Sequence, residues 1–108
     1  MQSVIERFSA LGDPCRLEII EILSNGPRTV GELKEQFSMT LPGLLKHVRK
    51  LEKSQLIRTK KEGRTVICHL NPASFADLEG WIGKQMNFWN ETLNRLENFT
   101  KGKELPPK

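Results

Sequence analysis

Residues 40–53, TLPGLLKHVRKLEK, carry two patterns at once, one apolar and one cationic. Leu41, Leu44, Val48 and Leu51 recur at the spacing that lines one side of an α-helix. Lys46, Arg49, Lys50 and Lys53 fall away from that stripe with His47 among them, and Glu52 alone opposes their charge. Thr40 supplies the hydroxyl of a good N-cap, and Pro42 stands in the first turn, where a missing N–H costs little. Gly43 is less expected, because glycine inside a helix costs roughly 0.5–1 kcal/mol relative to alanine. Close approach to a phosphate or base would explain it, and so would the tolerance of a first turn. A helix anchored by one face and cationic on the other has the right width for the DNA major groove.

Working back toward the N-terminus, Thr29 and Glu32 form the T-x-x-E pattern of a capping box, opening a helix whose inner face is Val30, Leu33 and Phe37. Ser38 and Met39 are then a short turn, so residues 29–53 read as a helix-turn-helix. Before it, Asp13 caps a helix with Pro14 at its first position. Leu17, Ile19, Ile20, Ile22 and Leu23 make that helix apolar around much of its circumference, which predicts the most buried element of the fold. Asn25-Gly26-Pro27 ends it. Val4, Ile5, Phe8 and Leu11 give a short first helix over residues 3–10, closed at Leu11-Gly12.

Downstream of residue 55 the apolar period changes from 3.6 to 2. Residues 56–60 and 65–70 are runs rich in β-branched side chains, separated by Lys61-Glu62-Gly63-Arg64 with a glycine available for positive φ. Such a hairpin, tipped by Lys60, Lys61 and Arg64, is a wing able to reach the DNA backbone or minor groove beside the helix. The bland alternative is a solvated loop whose lysines protect an exposed strand edge. Asn71-Pro72 punctuates the hairpin, and a long helix is predicted over residues 73–100. Its stripe of Phe75, Leu78, Ile82, Met86, Trp89, Leu93 and Leu96 is broadened by Trp81 and Phe88. That is more apolar surface than so small a domain covers, which predicts a two-fold homodimer built with Val4, Ile5 and Phe8 of the first helix. A long helix folded back over its own core is the other possibility.

The expected fold is therefore mainly α with a small β-hairpin, a winged helix-turn-helix ordered as four helices, two strands and a fifth helix. It forms one domain over residues 1–100, followed by a polar, frayed tail over residues 101–108. Charge is unevenly spread. Residues 40–64 hold eight cationic side chains against Glu52 and Glu62, a local +6 in a chain whose net charge is +4. One contiguous quarter thus carries the footprint of a polyanion-binding surface. No apolar run of about 18 residues or secretory pattern is present, so a cytoplasmic protein that avoids membranes is expected. Cys15 and Cys68 lack the paired spacing of zinc knuckles or stapled secreted domains. An enzyme is disfavoured: there is no glycine-rich phosphate loop, and His47 and His69 have no identifiable nucleophile partner.

The segments LGDPCRLEIIEIL and SMTLPGLLKHVRKLEKSQLIRTKKEGRTVICHLNP, with the terminal helix bearing Trp81 and Trp89, resemble the ArsR family of bacterial winged-helix transcription regulators over nearly the whole chain. The resemblance implies a homodimer joined through the first and fifth helices that binds inverted repeats in double-stranded DNA, commonly as a repressor of its own operon. It carries DNA contact onto Thr40, Lys46, His47, Lys50 and Arg64. With the neighbouring positions, the expected contact set is Thr40, Leu41, Pro42, Gly43, Leu45, Lys46, His47 and Lys50 of the helix and Arg58, Lys60, Lys61 and Arg64 of the wing. The family's helix usually presents a small polar residue two positions before its histidine, whereas Leu45 stands there here, suited at best to a thymine methyl. The metal-sensing members' ligands are absent too: TVGELKEQF has no cysteine and the terminal helix no histidine. No metal or other cofactor is expected, and the inducer is unknown.

Two other functions remain open from sequence. Cys15 follows Asp13-Pro14 at a helix start and precedes Arg16, a setting that lowers a thiol pKa and suits a redox sensor; a buried small hydrophobe is the plainer role. Cys68 and His69 alternate along a strand and so cannot readily share one ion. A winged-helix protein-interaction module would share the fold but has no need of cations on helix and wing together.

Overall fold

The helix read from residues 40–53 is present, and everything around it follows from what its apolar stripe packs on. A computed structural model describes residues 2–100; the tail expected over residues 101–108 lies outside the described residues. The elements run α1 (Gln2–Leu11), α2 (Pro14–Leu23), β1 (Arg28–Thr29), α3 (Val30–Glu35), α4 (Leu41–Lys53), β2 (Ile57–Glu62), β3 (Thr65–Leu70) and α5 (Pro72–Thr100). They group into two compact units, one ending at Leu78 and one beginning at Glu79.

The first unit closes on one core of Ala10, Ile19, Ile20, Leu23, Leu33, Leu44, Val48, Leu51, Leu56, Ile57, Cys68 and Leu78. Leu44, Val48 and Leu51 are α4's contribution, each fully or almost fully buried and worth roughly 1.5–3 kcal/mol. Leu41 departs from the expected stripe. It stands 46% exposed at the helix's first position, ahead of the turn that meets the core. Leu17 is likewise 46% exposed, so α2 buries one face through Ile19, Ile20 and Leu23 and not all of the apolar positions read around it. Both caps are as expected. Asp13 accepts the Arg16 amide proton at 3.0 Å, and both halves of the Thr29–Glu32 capping box form.

The sheet has three strands, ordered β1-β3-β2, where two were expected. The extra strand is only Arg28 and Thr29, paired with Cys68 and Ile67. Two residues show no alternation to read, and Thr29 is also the N-cap of α3. The hairpin is tighter than expected as well. Strand β2 continues to Glu62, which faces Thr65 across a two-residue loop. Gly63 has φ +61°, the positive value that a II′ turn requires of its first central residue.

The end of α4 is a Schellman motif. The Leu56 amide donates to the Leu51 carbonyl at 3.1 Å and the Gln55 amide to that of Glu52 at 2.9 Å, with Gln55 in the left-handed region at φ 65°. Leu51 and Leu56, the pair this motif brings together, are both wholly buried. Asn71 and Ser74 donate from their side chains to the Gln55 carbonyl, tying the start of α5 to that turn. Arg7 on α1 completes the junction. It is buried, with Nε donating to the Ser54 carbonyl at 3.2 Å and Nη1 paired with Asp77 at 2.9 Å.

Candidate nucleic-acid interface

Helix α4 is capped at its start by Thr40, whose Oγ1 accepts the Gly43 amide proton at 3.3 Å. That satisfies one of the four donors a helix start leaves unpaired. A Cβ at position 43 would stand 3.3 Å from the same Oγ1 and 4.0 Å from Met39. A side chain there would need the cap to give by a few tenths of an ångström.

Lys46, Arg49, Lys50 and Lys53 are all exposed, with Lys50 and Lys53 in the last turn, where they complement the helix's partial negative charge. Lys50 and Lys53 also border a groove of about 220 Å³ with Ile5, Glu6 and Ser9 of α1. Arg49 was outside the expected contact set, yet it shares the exposed face with Lys46 three residues earlier. The i, i+3 spacing is the signal that places it there.

The wing adds Arg58, Lys60, Lys61 and Arg64, again all exposed. They are not equivalent. Arg64 lies in the turn and Lys61 close to it, whereas Arg58 pairs across the ladder with His69 and borders a cavity with Glu52 and Asn71, near the hairpin's base. The two acidic residues of the region are already engaged: Glu52 accepts from the Thr59 hydroxyl, and Glu62 lies 3.5 Å from Lys60. Between helix and wing runs a groove of about 520 Å³ whose lining includes Leu41, Leu45, Arg64 and Val66. Leu45 is half-buried there, so the start of the helix and the turn end of the wing border one groove.

His47 stands apart from the exposed cations. It is half-buried against α2, its Nδ1 3.2 Å from Arg16 Nη1 and 3.7 Å from Asp13 Oδ2. A guanidinium only donates, so the Arg16 contact is a hydrogen bond when Nδ1 is the unprotonated ring nitrogen. The Asp13 carboxyl is held below its usual pKa, chiefly by the hydrogen bond from the Arg16 amide. At Cys15 the surroundings work against the lowered pKa that its helix-start setting suggests. Burial, together with the charges of Asp13 and Glu18, pushes its pKa up, against the smaller lowering effect of Arg16. The Cys68 thiol is pushed up to about 11 by burial and by Glu52.

The residues expected at a partner interface divide. Leu78 lies in the core of its own chain and Val4 packs against it. Ile5 and Phe8 of α1 are 56% and 38% exposed. In the second unit Trp81 is half-buried, while Ile82, Met86, Trp89, Leu93 and Leu96 are between 43% and 59% exposed. Phe88 and Phe99 extend this surface, with Phe88 edge-to-face on Trp89 at a centroid separation of 5.9 Å. No helix among the described residues is long and apolar enough to cross a membrane.

Residues 11–60 match the family described as a helix-turn-helix domain. The chain is 29% identical over 89 residues to the transcriptional repressor SdpR of Bacillus subtilis (strain 168), spanning 82% of this chain and 96% of that protein. It is 38% identical over 64 residues to an arsenical resistance operon repressor of Staphylococcus xylosus, spanning 59% and 62% of the two. A crystal structure of an ArsR family transcriptional regulator superposes with a TM-score of 0.78 at 39% identity, covering 82% of this chain and 92% of that one. With identity of that order over nearly all of a relative built on the same helices and wing, the chain belongs to the ArsR family of winged helix-turn-helix transcription regulators.

Proposed function

We propose that the protein is a homodimeric repressor whose two α4 helices enter successive major grooves of an inverted repeat, about 34 Å apart, with the wings lying alongside. One observation carries the proposal: all eight cations of residues 40–64 are exposed, and they occupy α4 and the adjoining wing. Neutralising phosphates with such a surface releases counterions and supplies most of the affinity. Lys46 and Arg49 on the open face, with Lys61 and Arg64 beside the turn, are the phosphate and base-edge donors. Thr40, Leu41, Pro42, Gly43 and Leu45 form the end of the helix nearest the wing groove, where apolar contact with a thymine methyl is available. Lys50, Arg58 and Lys60 complete the exposed set, and His47 contributes from a half-buried position. The second copy is inferred from α5, whose exposed apolar stripe is the kind of surface that monomers seldom leave bare.

Fluorescence anisotropy with a duplex carrying the inverted repeat upstream of the gene, across a salt series, tests this. Affinity should fall steeply with salt, and Arg64→Ala should lower the slope by about 1 at similar cost on all sequences. Lys46→Ala should in addition relax base preference. Binding that ignores salt, or that does not distinguish the repeat from scrambled duplex, would overturn the proposal.

A further inference from the structure

The start of α2 and the middle of α4 bring together three metal-binding groups that lie 32 to 34 positions or only two apart in sequence. A carboxylate oxygen of Asp13, Cys15 Sγ and a ring nitrogen of His47 all lie within 4.8 Å of one another, each residue half-buried. Met39 Sδ stands 4.0 Å from Cys15 Sγ, adding a thioether to the same rim. Sequence spacing does not reveal this set, because only the packing of α2 on α4 assembles it.

We propose that Asp13, Cys15 and His47 bind a borderline transition-metal dication of the zinc(II) class. Thiolate, imidazole and carboxylate together are a ligand set that such an ion accepts in tetrahedral geometry, with water or the Met39 thioether at the fourth position. Bonds of about 2.0–2.3 Å place tetrahedral ligands roughly 3.3–3.8 Å apart. Asp13 Oδ2 and His47 Nδ1 are already 3.7 Å apart, so the thiol has the larger adjustment to make. One side of the site is fixed in advance: Asp13 is held as an N-cap with φ −138° and ψ 131°, and Pro14 stiffens the step to Cys15. As the sulfur–metal bond forms, the Cys15 proton leaves to solvent. The Arg16 guanidinium now on His47 Nδ1 gives up that place to the ion.

Competition with Arg16 makes the proposal testable in a way that a merely structural cluster would not be. The full chain is titrated with cobalt(II), reading thiolate-to-metal charge transfer and the visible bands of a tetrahedral ion, then back-titrated with zinc(II). No DNA is present, so failure here is separate from failure of the DNA-binding proposal. One equivalent per chain is expected, with the charge-transfer band absent in Cys15→Ser and retained in Cys68→Ser. Affinity should drop by more than about tenfold in His47→Gln and in Asp13→Asn, where asparagine keeps the helix cap. Arg16→Gln should bind more tightly than the unaltered chain. Far-ultraviolet circular dichroism establishes that each variant is folded. A missing band, a band that follows Cys68 instead of Cys15, or an affinity indifferent to both His47→Gln and Arg16→Gln would overturn the site.

Discussion

Helices α4 and α5 are both amphipathic, and they dispose of their apolar stripes in opposite ways. Leu44, Val48 and Leu51 of α4 are at most 4% exposed, whereas Ile82, Met86, Trp89, Leu93 and Leu96 of α5 are at least 43% exposed. An apolar stripe therefore records two different debts to packing: α4 is stabilised by its own chain, while α5 beyond Leu78 leaves surface for another molecule to cover. The contrast also separates two kinds of stability, one independent of protein concentration and one dependent on it.

Leu51→Ala should have the largest effect on this contrast, costing about 2–5 kcal/mol by leaving a cavity beneath α4. Thermal denaturation should show a fall in Tm that is the same at all protein concentrations. Trp89→Ala should instead act on association, weakening self-association by about 2 kcal/mol or more, roughly thirtyfold, as truncated aromatic anchors do. Sedimentation velocity over a dilution series reads this directly. If Trp89→Ala lowered Tm independently of concentration and left association unchanged, α5 would be packed like α4 and the contrast would fail. Thr40→Ala should cost about 1 kcal/mol by removing the cap of α4, with DNA affinity reduced in parallel. Gln55→Gly should be the smallest change and of opposite sign. Relieving the left-handed strain at the helix end should stabilise the fold by about 0.5–1 kcal/mol, seen as a raised denaturant midpoint.

Much of this was legible in sequence because it is local. The Asp13 and Thr40 caps, the Thr29–Glu32 box and the glycine turn of the wing each lie within a few consecutive residues, and the stripe of α5 is a regular period within one helix. What escaped was non-local. No local pattern marks Arg7, whose partners Ser54 and Asp77 are 47 and 70 residues away. Strand β1 has no pattern of its own and exists because β3 offers an edge. His47 looked like one more cation of α4 until the packing of α2 gave it Arg16 and Asp13 as neighbours. For Cys15, the local inventory of helix start and arginine pointed to a lowered pKa, and burial decided the opposite.

The two-residue loop at Gly63-Arg64 limits how this wing can vary. Inserting a single residue into β2 would send every later side chain of that strand to the opposite face of the sheet, exchanging the roles of Lys60 and Lys61. Only paired insertions in both strands preserve which side is charged, each step adding about 7 Å of reach. Wing length in relatives that keep this turn should therefore be quantised, and a regulator that must touch DNA farther from its helix has to grow in whole pleats.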